Sequence, residues 1–165
     1  MWMRDWIPVP GTTKARLVDA ALREFALRGF EPVAVTEIAG AAGVTVGSLY
    51  HHFGSKSGLY DLVRTDVERR LLDRMEGAWS ATAHLADVVA VGFDYLVAAG
   101  YTRLLAERHP DGTDDAVERF VLARLEPADA PFGTLLAAAW RAALTIAPEN
   151  PGGARAALTR MASAS

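Results

Sequence analysis

Two short helical patterns joined by a glycine restrict what residues 36–60 of this 165-residue chain can fold into. The first pattern stops at Gly43, a residue that adopts the left-handed turn conformation without steric cost. The second pattern follows Thr45, a favourable N-cap residue. The apolar residues of both patterns recur at helical spacing: Ile38, Ala39, Ala42, Leu49 and Phe53. Two short helices with a tight glycine-containing turn are typical of a helix-turn-helix unit, which we place at residues 34–53.

Apolar residues also recur at helical spacing in the rest of the chain. We predict further helices at residues 13–30, 56–76, 83–99, 101–107, 114–125, 132–147 and 153–163. Thr12 or Thr13 is expected to cap the first of these, and Ser55 the second. Gly77 is expected to end the long helix, the residues after His109 to form a turn, and residues 148–153 to form a linker. No stretch alternates with the period of a strand. The sequence therefore predicts an all-α protein with an N-terminal three-helix helix-turn-helix domain and a helical C-terminal domain.

Composition excludes several classes of function. The chain has no cysteine, which removes disulfides, thiolate metal sites and cysteine nucleophiles. No uncharged apolar run approaches about 18 residues, and prolines interrupt the N-terminus; we therefore expect neither a membrane span nor a signal peptide, and a cytoplasmic location. No motif pairs a nucleophile with a base or cradles a phosphate, so no enzyme activity and no cofactor is predicted. Neighbouring His51 and His52 diverge by about 100° on a helix, which does not favour a metal site.

The net charge of −3 at first argues against nucleic acid as a partner. Residues 1–60 carry six basic and five acidic side chains, a balance of +1, whereas residues 61–165 carry eleven and fifteen, a balance of −4. The N-terminal part is thus the less acidic one, although it is not strongly basic. We expect modest non-specific DNA affinity, with orientation set by a few phosphate contacts.

Several spaced features within residues 13–60 closely resemble the N-terminal domain of TetR-type (tetracycline-repressor-like) transcriptional regulators. They are Ala20 and Ala21 with Phe25, Gly29 with Phe30, Ile38-Ala39 with Ala42-Gly43-Val44, and Gly47-Ser48-Leu49-Tyr50-His51-His52-Phe53 followed by Lys56 and Leu59. The resemblance implies a tail at residues 1–12, a DNA-binding domain at 13–60 and a helical ligand-binding and dimerisation domain at 61–165. It further implies a homodimer that binds a pseudo-palindromic operator, usually as a repressor, and is released by a small-molecule effector.

The predicted contacts to double-stranded DNA involve eight residues of the first domain: Thr36, Thr45, Val46, Gly47, Ser48, Tyr50, His51 and Lys56. Gly47 costs on the order of 1 kcal/mol inside a helix relative to alanine. We interpret it as allowing the backbone to approach the major groove, the alternative being a tolerated weak spot. Lys56 opposes the dipole at a helix start, which a phosphate at the same place would make favourable; a solvated surface lysine is the alternative.

The remaining contacts rest on side-chain chemistry or on the resemblance. Val46 is suited to a thymine methyl, and Ser48 and His51 to a base or a phosphate. By the resemblance, Tyr50 reaches a phosphate while its ring packs, although it could equally fill the helix interface alone. Thr36 takes over a phosphate contact because an expected Ser or Thr cap is missing from Val33-Ala34-Val35.

The C-terminal domain is predicted to supply an effector cavity and a dimer interface. The candidate ligand-lining residues are Trp79, Phe93, Tyr95, Tyr101, Phe120 and Trp140, each with ordinary core packing as the alternative. Together they favour an apolar or aromatic effector. About 105 residues are few for such a domain in this family, so a small or missing pocket stays open.

For the dimer, residues 132–147 and 153–163 carry narrow, alanine-rich stripes that would pack around a two-fold axis. Intramolecular packing of the same stripes is the alternative. Two other functions remain open at this point: a constitutive dimeric DNA-binding protein without an effector, and a helical enzyme or metal protein.

Overall fold

The computed structural model describes residues 11–109 and 115–163, and every regular element within these ranges is a helix. The predicted all-α fold is confirmed. The chain divides into two compact units at the bond between Thr65 and Asp66. Residues 1–10 of the predicted tail and residues 110–114 of the predicted turn lie outside the described residues. None of the helices in the described ranges is both long and apolar enough to cross a bilayer.

The first unit contains α1 (Thr13–Arg28), α2 (Val35–Ala41), α3 (Val46–Phe53) and the start of α4 (Lys56–Thr82). Hydroxyl caps begin three of these helices, as the sequence predicted. The hydroxyl oxygens of Thr12, Thr45 and Ser55 accept hydrogen bonds from the amides three residues later, at 3.2, 3.2 and 2.9 Å. Gly29 ends α1 with a φ of 82°, and the turn between α2 and α3 requires a φ of 64° at Gly43.

Aromatic packing holds the core of the first unit together. The fully buried side chains include Leu17, Phe25, Ile38, Leu49, Leu59 and Tyr60. Tyr60, which the helical pattern did not single out, lies edge-on to Phe25 and Phe30, with ring centroids 5.0 and 4.8 Å apart. Such pairs stabilise a core by about 0.5–1.5 kcal/mol beyond the area they bury. This cluster fixes the start of α4 against the end of α1.

The second unit contains the remainder of α4 and five further α-helices. They are α5 (Leu85–Ala99), α6 (Thr102–Ala106), α7 (Ala116–Leu122), α8 (Ala130–Ile146) and α9 (Pro151–Ala162), with a 3-10 turn at Pro127–Asp129 before α8. Two glycines allow close helix packing. A Cβ at Gly92 of α5 would lie 3.0 Å from Leu71 of α4, and one at Gly133 of α8 would lie 2.7 Å from Leu122 of α7.

Two predicted boundaries in this unit are wrong. Gly77 does not end α4, which continues to Thr82 and stops before Ala83, whose φ is 54°. A glycine costs only about 1 kcal/mol inside a helix, which the buried stripe of α4 offsets. The predicted linker 148–153 contains the first turn of α9, because Pro151 occupies the first helical position and the Asn150 side chain caps the Gly153 amide at 2.9 Å.

Candidate DNA-binding surface

The third helix buries one face and exposes the other. Leu49 is fully buried in the first unit, and Phe53 is half-buried. The opposite face carries the predicted contact residues: Gly47, Tyr50 and His51 are exposed, and Val46 and Ser48 are half-buried. This face is short, carries no acidic residue, lysine or arginine, and is rich in groups that hydrogen-bond. Its dimensions and chemistry suit the edges of base pairs in a major groove.

Gly47 is not required by anything inside the protein. A Cβ built on it would have Thr45 Oγ1 as its nearest neighbour, at an ordinary contact distance of 3.7 Å. Its backbone is helical, so alanine would fit and would favour the helix. Packing among the described residues therefore offers no reason for a glycine here.

Thr45 and Ser48 form a small hydroxyl pair at the start of α3. The Thr45 Oγ1 accepts the Ser48 amide hydrogen at 3.2 Å and lies 3.1 Å from the Ser48 Oγ. One hydroxyl hydrogen of the pair remains available to an outside acceptor, because a single hydrogen satisfies the contact between the two oxygens. The pair thus presents a fixed donor at the edge of the exposed face.

Tyr50 stands out from the helix rather than filling an interface, since 49% of it is exposed. Its hydroxyl is therefore accessible to a phosphate. His51 and His52 follow it with ring centroids 5.2 Å apart at an angle of 67°. Within the described residues, no group of three His, Asp or Glu side chains converges to hold a metal ion.

Lys56 begins α4 and is held against the loop between α1 and α2. Its Nζ donates a hydrogen bond to the Glu31 carbonyl oxygen at 3.1 Å and lies 4.3 Å from the centre of the Phe30 ring. An ammonium group has three hydrogens, so this contact leaves the group able to donate to a phosphate as well. The carbonyl and the ring supply a reason for a cation at this helix start that the sequence alone did not reveal.

An ion pair that sequence reasoning missed joins α1 to α2. Arg28 binds Glu37 through two hydrogen bonds of 3.1 and 2.8 Å, and Glu37 also accepts the Ala34 amide hydrogen at 2.8 Å. The Arg28 guanidinium and, next, the Ala34 amide lower the pKa of Glu37 to about 2. Glu37 thus supplies the glutamate half of a capping box through the Ala34 amide, while no side chain among the described residues caps the first-turn amides of α2, and the neighbouring Thr36 is exposed. A glutamate three residues after a helix start is the signal that could have revealed it.

Gly58 is a second residue that the sequence did not single out. A Cβ at this position would clash with the Phe53 carbonyl oxygen, which belongs to the backbone and cannot move aside easily. The turn between α3 and α4 is therefore so tight that it excludes every other residue without a backbone shift. Gly58 sets the spacing between the exposed face of α3 and Lys56.

The six predicted ligand-lining residues do not form one group in the second unit. Phe93 and Trp140 are core residues, 1% and 2% exposed, and the Trp140 indole donates to the Val89 carbonyl oxygen at 3.4 Å. Tyr95 and Tyr101 meet edge-on at 6.4 Å. Burial raises the pKa of Tyr95, although the Arg74 guanidinium, 3.9 Å from its ring, opposes the rise.

The other two of these residues lie elsewhere in the unit. Phe120 is buried beneath the Arg124 guanidinium, and Trp79 lines a cleft of about 760 Å³. Trp79 is the one member of the predicted set among the residues that line this cleft in the described part of the chain. A ligand role for all six stays a prediction.

The predicted dimer helix α8 exposes an uncharged face, whereas the exposed residues of α9 include Arg155 and Arg160. The exposed residues of α8 share one helical face: Pro131, Thr134, Leu135, Ala138, Ala142, Thr145 and Ile146. Leu135 and Ile146 are 65% and 51% exposed, and Met161 of α9 is 46% exposed. The opposite face of α8, with Leu136 and Trp140, is buried within the unit. Intramolecular packing therefore accounts for only one side of α8.

The first unit is similar in sequence to bacterial regulators. Residues 17–63 match the family model described as bacterial regulatory proteins of the tetR family. Over 81 residues, 49% of this chain, the sequence is 38% identical to the HTH-type transcriptional repressor KstR2 of Rhodococcus jostii, of which it covers 35%. The chain thus spans about a third of the length of curated relatives such as this one.

Two solved structures share the fold over nearly the whole chain. A protein from Shewanella sp. PV-4, described as a tetR family transcription regulator, superposes with a TM-score of 0.67 at 19% identity, covering 92% of this chain and 96% of its own. A tetR-family transcriptional regulator from Streptomyces coelicolor gives 0.64 at 19% identity, covering 91% and 77%. At such identities the likeness establishes the fold alone.

Proposed function

We propose that the chain is a dimeric transcriptional regulator that binds double-stranded DNA, because residues 17–63 match the family model of bacterial regulatory proteins of the tetR family. The observation that carries the proposal is the exposed face of α3, where Gly47 has no internal reason to be a glycine. A helix backbone without a side chain at this point can lie close to the base edges of a major groove. The KstR2 relatives are named as repressors, so repression is the proposed direction of control.

Eight residues are proposed to form the DNA-binding surface, some at the base edges and others at phosphates. Val46, Gly47, Ser48 and His51 face the base edges, with Val46 suited to a thymine methyl. Tyr50, Thr36 and Lys56 bind phosphates. Thr45 caps α3, the helix that presents Val46, Gly47, Ser48, Tyr50 and His51. Because the unit is not strongly basic, we expect few phosphate contacts and a shallow dependence of affinity on salt.

A homodimer through α8 and α9 is the proposed assembly. The uncharged exposed face of α8 carries Leu135 and Ile146, and α9 exposes Met161; large exposed apolar side chains of this kind mark protein interfaces. A two-fold axis through this surface would pair each helix with its own copy, as in four-helix bundles. Two copies of α3 would then read half-sites about 34–36 Å apart.

Release by a small-molecule effector is the proposed means of control, with cytoplasmic DNA as the site of action. The cleft in the second unit favours this over a constitutive DNA-binding protein, because a purely dimerising module needs no cavity of about 760 Å³. A volume of this size falls within the roughly 300–1,000 Å³ of small-molecule sites.

The test of the proposed function is the selection of bound sequences from a random duplex library by the purified protein. We expect an enriched inverted repeat whose half-site centres are about 10 base pairs apart. Light scattering of the same material should give twice the chain mass. A library without enriched sequences would contradict DNA recognition, and a monomeric mass at micromolar concentration would contradict the dimer.

A further inference from the structure

The cleft in the second unit combines apolar walls with one buried cation. It lies where the end of α4, the start of α5, the connection from α7 to α8 and the end of α9 meet. The apolar walls are Trp79, Leu85, Leu125, Phe132 and Ala162. The cation is Arg124, whose side chain is only 15% exposed. Two aromatic rings and a guanidinium therefore border the same space.

Arg124 is fixed in place but incompletely satisfied. Its guanidinium carbon lies 3.4 Å from the centre of the Phe120 ring and 5.6 Å from that of Trp79. One terminal nitrogen donates to the Phe120 carbonyl oxygen at 2.8 Å, and the other binds the Glu76 carboxylate. The Nε hydrogen is buried and has no acceptor among the described residues. A buried donor without an acceptor carries its full desolvation cost.

Glu76 is a weak partner for this guanidinium. Its side chain is 55% exposed, so water screens the ion pair and solvates the carboxylate at little cost when the pair opens. The carboxylate of a ligand bound in the cleft would contact the guanidinium where less water surrounds the pair than at Glu76. It could accept from two nitrogens in the planar geometry that arginine and carboxylate share.

We propose that this cleft binds an aromatic or alicyclic monocarboxylate, with its carboxylate on Arg124 and its ring against Trp79 and Phe132. The exposed Asp129 at the edge of the cleft repels a second negative charge and so favours a monoanion over a dianion. The carboxylate would be the effector class of the proposed regulator. Binding of the carboxylate does not depend on the proposed function, whereas its effect on DNA affinity does.

The test compares two fluorescent probes of equal shape, 1-pyrenebutyrate and its neutral amide, by anisotropy on the full chain. We expect the carboxylate to bind about tenfold more tightly than the amide. Arg124→Gln should abolish that preference. The matched control is Arg141→Gln, because Arg141 is also 15% exposed and paired to a carboxylate, Asp115, but does not line the cleft. The control variant should keep the preference.

A second variant is expected to raise the affinity for the carboxylate probe instead of lowering it, and it changes no core residue. Glu76→Gln removes the competing carboxylate from an exposed position, so the carboxylate probe should bind severalfold more tightly while the amide is unchanged. This measurement decides the matter if Arg124→Gln fails to fold. Equal binding of the two probes, or a preference that survives in folded Arg124→Gln protein, would overturn the inference.

DNA binding is measured separately on the selected operator. An Arg124-dependent preference without any effect on operator affinity would sustain the site and refute effector control. Operator binding by a protein that shows no carboxylate preference would refute the carboxylate site and leave the proposed DNA binding intact.

Discussion

The exposed face of α3 and the cleft of the second unit are both candidate sites, yet they are built from different ranges of the sequence. Residues within about a dozen positions of one another form the first, from the Gly43 turn to the Ser55 cap. The second is formed by side chains of α4, α5, the α7–α8 connection, α8 and the end of α9, which are separated by as many as 84 positions. A surface made by neighbours in sequence can be predicted from local patterns. A cavity made by distant helices depends on how those helices pack.

Gly47→Leu gives the largest expected effect and tests the locally built surface directly. A bulky side chain would hold the α3 backbone away from the base edges, so operator affinity should fall about a hundredfold or more, the loss of two or more contacts. The melting temperature should not fall, since the nearest atom to the new Cβ among the described residues, apart from its chain neighbours and its own helix backbone, is Thr45 Oγ1 at 3.7 Å. Gly47→Ala is the graded control. Retained operator affinity in Gly47→Leu would refute the close-approach interpretation.

Gly58→Ala tests the turn that follows the same helix. Because the new Cβ meets the Phe53 carbonyl oxygen, we expect a loss of about 1–3 kcal/mol in the free energy of unfolding. Gly77→Ala is the matched variant in the same helix as Gly58. Its Cβ meets nothing within 4 Å, so it should stabilise the protein by up to about 1 kcal/mol. Urea unfolding measures both, and equal effects of the two substitutions would contradict the tight turn.

Lys56→Ala should weaken binding to every DNA sequence rather than to the operator alone. Loss of one phosphate contact should reduce the slope of log affinity against log salt by about one. Titrations at several salt concentrations, on operator and on random duplex, supply the measurement. An unchanged slope would mean that Lys56 serves only the Glu31 carbonyl and the Phe30 ring.

Glu37→Gln should change the acid dependence of stability, the smallest of these effects. The folded pKa of about 2 lies below the ordinary value of 4.5, so the Arg28–Glu37 pair stabilises the fold above pH 4.5. That stabilisation is lost as the pH falls from 4.5 towards 2. Urea midpoints across this acid range should fall less steeply in Glu37→Gln than in the wild type. Glu31→Gln, in the exposed loop, is the control, and parallel curves for Glu37→Gln and wild type would exclude the ion pair.

The sequence predicted those parts of the fold that depend on short-range chemistry. The caps at Thr12, Thr45 and Ser55 each bond an amide three residues away, and all three are present. The prediction that Gly77 ends α4 is wrong because the free-energy cost of one glycine in a helix is smaller than the packing energy of a helix with a buried stripe. The predicted linker at 148–153 is too long because proline breaks a helix in its interior but is favourable in its first turn, where Pro151 lies.

The candidate sites follow the same rule. Exposure of Gly47, Tyr50 and His51 was predictable from helical spacing and the burial of Leu49. No local pattern indicates that Arg124 approaches Glu76, 48 positions earlier in the chain. Aromatic type alone also could not separate Trp79 in the cleft from Trp140 in the core, because both residues occupy apolar helical positions.

The hydrogen bond from Lys56 to the Glu31 carbonyl has a further consequence, for the entropy of binding. A free lysine side chain loses about 1.5–2 kcal/mol of rotamer freedom when it is immobilised. In this protein the Phe30 ring and the carbonyl restrict the side chain of Lys56 before any duplex arrives. That ordering is therefore a cost of folding rather than of association, and a phosphate meets an ammonium group that is already in position.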